Sequence, residues 1–193
     1  PFAIYQELAQ CPWNDESLLL HIGLQGEKIE TENLPASNIV FLIDVSGSMN
    51  SQNKLPLLKK AFKLLVQQLH EEDRVAIVVY AGSSGVVLPS TQGDEKEKII
   101  ESLERLQAGG STAGAAGLKL AYQVATENFI KNGNNRIILA TDGDFNVGQS
   151  SNAEMERLIE KEREKGIFIS VLGFGMGNYQ DSKMEIIADK GNG

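Results

Sequence analysis

The stretch FLIDVSGSMN (residues 41–50) decides the fold, because in it an apolar run stops abruptly at a carboxylate. Asp44 ends the run, and two hydroxyls follow at alternate positions, Ser46 and Ser48. A continuous apolar run predicts a strand that is buried on both faces. Carboxylate and hydroxyl oxygens are hard ligands, so the turn after this strand is a candidate cation site.

Outward from this stretch, short apolar runs alternate with amphipathic segments. The runs predict strands at residues 39–43, 74–80, 86–88, 136–140 and 167–172. The amphipathic segments predict helices around residues 55–69, 96–106, 113–130, 154–165 and 179–190. Buried strands separated by helices predict an α/β fold with a doubly wound, mostly parallel sheet. In such folds ligands bind outside the carboxyl ends of the strands.

The first 37 residues predict a separate β-hairpin extension with its connector. Residues 2–10 and 17–25 have strand character, with a turn between them in which we expect Trp13 to be a packing anchor. The doubly wound domain is then expected over residues 38–193. No strand is predicted after its last helix, so we expect the domain to be truncated before its last strand.

Composition excludes several classes of function. The net charge of −8 argues against nucleic acid, whose phosphates require a basic surface. The single cysteine, Cys11, excludes an intramolecular disulfide and a thiolate metal cluster. No apolar run approaches the roughly 18 residues of a membrane span. The chain is therefore expected to act as a globular domain.

Three loops at strand or helix ends offer oxygen ligands. They carry Asp44, Ser46 and Ser48 in the first, Thr112 in the second and Asp142 in the third. Such hard oxygens favour Mg²⁺, with Mn²⁺ or Ca²⁺ as alternatives, and the absence of His and Cys disfavours Zn²⁺. Hydroxyls are neutral, so a dication held mainly by them would seek a further anionic oxygen, which a carboxylate on a partner protein can supply.

This combination resembles the von Willebrand factor A domain and its metal-ion-dependent adhesion site. The matching elements are DxSxS from Asp44 to Ser48, the GGST loop with Thr112 and the TDG with Asp142. In finer detail, LATDGDFNVG (residues 139–148) and VLGFGMGNY (residues 171–179) are similar to the bacterial YfbK-like members. The resemblance implies strand order 3-2-1-4-5-6 in the domain, with residues 86–88 as the antiparallel edge strand.

The resemblance also implies roles for the five residues. Ser46, Ser48 and Thr112 would coordinate the ion directly, and Asp44 and Asp142 would act through bound waters. The implied function is a divalent-cation-dependent protein–protein interaction in which Mg²⁺ bridges to an acidic residue of a partner. Full-length relatives imply a bacterial cell-envelope location with a lipoprotein-type anchor.

Other readings of the same residues remain open at this point. Taken singly, Ser46 or Thr112 could cap a helix and Asp142 could be a turn residue. The ion could only stiffen the loops of a structural domain. Less favoured is a Mg²⁺-dependent phosphotransferase or phosphatase with Asp44 as nucleophile, because such a site typically has Asp at position 46 and a basic residue in its loops. We therefore expect neither an enzyme nor a small-molecule substrate.

Overall fold

The computed structural model describes residues 2–26, 34–111, 114–143, 145, 152–175 and 181–193. Contacts divide the chain into two units, Pro1–Leu34 and Pro35–Gly193. Each unit has a sheet of its own, one of two strands and one of five.

The smaller unit is the predicted β-hairpin. Strands β1 (Ala3–Gln10) and β2 (Leu18–Gln25) pair antiparallel, with Leu8 opposite Leu20. Six aliphatic side chains that alternate along the strands share one face and are all more than half exposed: Ile4, Leu8, Leu18, Leu20, Ile22 and Leu24. Trp13 is 77% exposed, so the expectation that it anchors the hairpin by packing is wrong. A two-stranded ribbon offers no second layer against which such a ring could be buried.

The larger unit contains a five-stranded sheet. Its strands are β3 (Ser37–Asp44), β4 (Arg74–Tyr80), β5 (Ser84–Gln92), β6 (Asn134–Thr141) and β7 (Ile167–Gly173). The spatial order is β5-β4-β3-β6-β7, and every pair is parallel except β4 with β5. This confirms the doubly wound sheet with its antiparallel edge strand. A sixth strand does not occur among the described residues of the unit.

Helices cover both faces of this sheet. They are α1 (Leu55–Gln67), α2 (Lys96–Glu104), α3 (Gly114–Glu127), α4 (Asn152–Glu164) and α5 (Asp181–Gly191). Alternate residues of β3 enter different cores, since Leu42 packs in the cluster that includes α3 residues and Phe41 in the cluster that includes α1 residues. The central strand is buried on both faces, which explains its continuous apolar run.

The main departure from the predicted elements is the edge strand β5. It runs over nine residues rather than the expected 86–88, and its register against β4 shifts around Ile77. An edge strand exposes part of its length, so polar residues and Pro89 extend it without an apolar signature. Helix α1 ends at Gln67, two residues before the predicted position.

Helix α3 lies unusually close to the sheet. A Cβ atom built on Gly117 would lie 2.8 Å from Cβ of Tyr80, a distance that real side chains do not tolerate. The glycine therefore lets the helix backbone approach β4 and positions the start of α3 at the carboxyl end of the sheet. None of the described helices is long and apolar enough to cross a membrane.

Candidate metal centre

Four of the five predicted site residues, Asp44, Ser46, Ser48 and Asp142, lie at the carboxyl edge of two adjacent parallel strands. Asp44 ends β3 and Thr141 ends β6, and these strands pair in register with Ile43 opposite Ala140. Parallel neighbours end at the same edge of a sheet, so the turn after β3 and the residue Asp142 after β6 come together.

The second loop is held against the first by the backbone. The Gly109 N–H donates to the Val45 carbonyl at 2.7 Å, and the Gly47 N–H donates to the Gly110 carbonyl at 3.1 Å. Residues 109–111 therefore lie beside the serine turn. Thr112 itself is outside the described residues, and its role as a ligand stays a prediction.

The two serines form a matched pair of hydroxyls. Their Oγ atoms lie 2.9 Å apart; Ser46 is buried and Ser48 is exposed. Two oxygens on neighbouring vertices of an octahedron are about 3.0 Å apart when each is about 2.1 Å from a central Mg²⁺. The same distance is that of a hydrogen bond between the two hydroxyls, so the pair has the spacing of two neighbouring ligands of a small dication once the shared hydrogen turns away.

Asp44 is fully buried next to Ser46 and is held by three donors. Its Oδ1 accepts the Ser46 N–H at 2.8 Å, and its Oδ2 accepts hydroxyls of Tyr80 at 3.3 Å and Thr141 at 3.2 Å. Burial raises the pKa of Asp44 above its ordinary value, Asp142 adds to the increase, and hydrogen bonds from Ser46 and Thr141 oppose it. A nearby cation would stabilise the ionised carboxylate that burial disfavours.

Tyr80 supports Asp44 as a donor. Burial raises its pKa well above the ordinary value, and the neighbouring Asp44 carboxylate adds to this increase. The phenol therefore stays protonated and keeps its hydrogen for Asp44. Nothing in the sequence around residues 74–80 predicted this support, because a tyrosine at the end of an apolar strand resembles any core residue.

Lys54 is a further member of the site that the sequence analysis did not identify. Its Nζ donates to the Ser48 carbonyl at 3.0 Å and to Asp142 Oδ2 at 2.8 Å. No lysine or arginine lies within the three loops, but Lys54 reaches the site from just before α1, so the absence of a nearby basic group no longer counts against a phosphoryl-transfer site. A single lysine just before a helix has no sequence pattern that would indicate a role at the site.

The donor set is made of hydroxyls and dispersed carboxylates. Within the part of the chain that the structure describes, no three His, Cys, Asp or Glu side chains converge on one point. Among the described residues, the oxygen donors at this edge of the sheet are therefore hydroxyls and separate carboxylates.

Sequence comparisons agree with this fold. A family model described as the von Willebrand factor type A domain matches residues 38–193. The uncharacterized protein YfbK of Escherichia coli strain K12 is 51% identical over 193 residues, which are 100% of this chain and 34% of that protein. The chain therefore spans about a third of the length of this relative.

Solved structures share the fold. A von Willebrand factor type A protein from Catenulispora acidiphila superposes with a TM-score of 0.68 at 21% identity, covering 90% of this chain and 39% of that one. The manganese-loaded TRAP protein of Plasmodium vivax superposes with a TM-score of 0.65 at 19% identity, covering 80% of this chain and 63% of that one. At these identities the likeness shows the architecture alone.

Proposed function

Because the chain belongs to the von Willebrand factor type A family, we propose that it binds a protein partner through a divalent cation held at the carboxyl edge of its sheet. We assign the ion site to residues 38–193 and treat residues 1–37 as a hairpin extension. The observation that carries the proposal is the pair of serine hydroxyls, 2.9 Å apart, one of which belongs to the residue that bonds the buried Asp44.

The proposed ligand set follows the chemistry of these side chains. Ser46, Ser48 and Thr112 hold the ion directly, whereas Asp44 and Asp142 hold it through water. Mg²⁺ is the preferred ion because the oxygens are hard and the hydroxyl spacing is short, with Mn²⁺ and Ca²⁺ as alternatives. That a neighbour with the same fold is manganese-loaded supports a divalent ion of this size class.

The ion would supply an open coordination position with residual positive charge. Neutral hydroxyls leave most of the charge of a dication uncompensated, and the two carboxylates are one shell removed. A Glu or Asp side chain of a partner is the complementary ligand for that position. Binding rather than catalysis is proposed, since position 46 carries Ser where a phosphoryl-transfer site of the dehalogenase kind would place a second Asp.

Calorimetric titration of Mg²⁺ into the protein tests the ion site. We expect Ser46→Ala to lower the affinity at least about tenfold, because it removes a direct ligand that water replaces only in part. Ser102→Ala makes the same chemical change on α2 and is expected to leave the affinity unchanged. Equal affinity in the wild type and Ser46→Ala would refute the assignment of the site.

Recovery of partners from cell extract tests the bridging role. Proteins retained in Mg²⁺ and released by a chelator are expected, and Ser46→Ala should fail to retain them. Retention that is indifferent to the chelator would contradict ion-mediated binding, and an ion that binds without any such partner would favour a structural ion.

We also propose a cell-envelope location, with a lipoprotein-type anchor in the full-length protein, following the similarity to bacterial YfbK-like sequences. Fractionation of cells that produce the natural full-length protein is expected to place it with the membranes. Recovery in the cytosolic fraction would contradict this location.

A further inference from the structure

The side chain of Lys54 reaches into the proposed ion site from outside its five predicted residues. Its ammonium group bonds both the Ser48 carbonyl and the Asp142 carboxylate, at 3.0 Å and 2.8 Å. Asp142 is 4% exposed and the lysine side chain 16%, so this ion pair is largely shielded from water. A shielded pair is screened much less than one on the surface.

The position of this lysine is supported by the neighbouring loop. Gly175 follows β7 and has a positive φ of 93°, a conformation that glycine adopts readily. A Cβ at this position would lie 2.6 Å from Cε of Lys54. The backbone of Gly175 is therefore packed directly against the aliphatic part of the Lys54 side chain. This packing and the hydrogen bonds of the ammonium group together hold Lys54 against Asp142.

Charge counting shows what this contact does. Among the described side chains, Asp44 and Asp142 bring two negative charges to the site, and Lys54 brings one positive charge. A dication that uses Asp142, directly or through water, approaches an ammonium group already bonded to the same carboxylate. The two cations repel each other and share one acceptor.

We propose that Lys54 is an internal counter-cation that competes with the divalent ion for Asp142 and thereby sets the affinity of the site. This inference rests on the proposed ion site. In the ion-free protein Lys54 neutralises Asp142 and keeps the loops together. When the ion binds, Lys54 loses its ion pair with Asp142. The domain therefore binds divalent ions more weakly than the same oxygen ligands would without the lysine.

Lys54→Met tests this role, because methionine keeps much of the stem and removes the charge. We expect Mg²⁺ to bind this variant about tenfold more tightly than the wild type, since the ion no longer displaces an ion pair. In chelator, the melting temperature of the variant should fall by a few degrees, because Asp142 loses its counter-cation. Lys54→Gln provides a second, polar replacement.

Lys60→Met is the matched control. Lys60 is exposed on α1, the helix that follows Lys54, so its removal changes the net charge equally without touching the site. Mg²⁺ affinity that is equal in Lys54→Met and the wild type, or weaker in the variant, would overturn the role of Lys54 while leaving the ion site intact. Absence of Mg²⁺ binding in both proteins would instead contradict the ion site and, with it, the competition.

Discussion

Replacement of Asp44 by asparagine is expected to lower the affinity for Mg²⁺ by more than about 100-fold and, at neutral pH, to raise the melting temperature of the ion-free domain. The carboxylate is fully buried, and its charge is the part of the site that most favours a nearby dication. Asparagine keeps the shape and the acceptor for the Ser46 N–H. Its amide hydrogens face the hydroxyls of Tyr80 and Thr141, which can turn to accept them.

The gain in stability should depend on pH in a defined direction. Because burial raises the pKa of Asp44, the fold favours the protonated carboxyl. The stabilisation from that protonated form is present below the ordinary pKa and is lost as the pH rises through the raised pKa of the folded state. Asparagine suffers no such loss. The melting-temperature advantage of Asp44→Asn in chelator is therefore largest at neutral pH and shrinks toward acid pH.

Thermal melts between pH 5 and 8, with calorimetry of Mg²⁺ binding, measure both effects. Asp94→Asn, the same substitution at an exposed position, should change neither quantity. If Asp44→Asn retained the wild-type affinity for Mg²⁺, the proposal that the charge of Asp44 favours the bound ion would be contradicted. If the melting-temperature advantage of Asp44→Asn grew toward acid pH, the conclusion that burial disfavours the ionised Asp44 carboxylate would be contradicted.

Gly117→Val is expected to cause the largest loss of stability, about 3 kcal/mol or roughly 6–12 °C in melting temperature. Any Cβ at this position meets Tyr80 at 2.8 Å, and the branched side chain of valine would force α3 away from β4. The small gain in helix propensity over glycine offsets little of this cost. Tyr80 also donates to Asp44, so the strain reaches the site.

Scanning calorimetry of this variant beside Ala116→Val checks the expectation. Ala116 is the preceding residue and is exposed, so the same valine there meets no strand. Equal melting temperatures for the two variants would show that the close approach of α3 to the sheet is not needed for stability.

The sequence predicted those parts of the fold in which burial leaves a pattern. Strand β4 was predicted to the residue, because both of its faces are covered and it is apolar throughout. The predicted edge strand was too short, since the polar residues and Pro89 that follow Leu88 carry no such signal. The order of the sheet came from the resemblance to a family rather than from periodicity.

The site was predicted less completely than the fold. Asp44, Ser46 and Ser48 are close in sequence and form a recognisable motif, and Asp142 follows a strand that is adjacent in the sheet. Lys54 was missed because its contact joins residues 88 positions apart and depends on the path of one flexible side chain. Contacts of this kind arise from the folded loops and have no local pattern in the sequence.

Crystals of the protein soaked in Mn²⁺ would test the ion site most directly, because the anomalous scattering of manganese locates the ion without reference to binding heats. We predict a single strong peak within coordination distance of the Oγ atoms of Ser46 and Ser48, on the side of the sheet edge where Asp44 and Asp142 lie. An ordered Mn²⁺ found only on exposed acidic side chains, or no peak at the serine pair under saturating Mn²⁺, would contradict the proposed site.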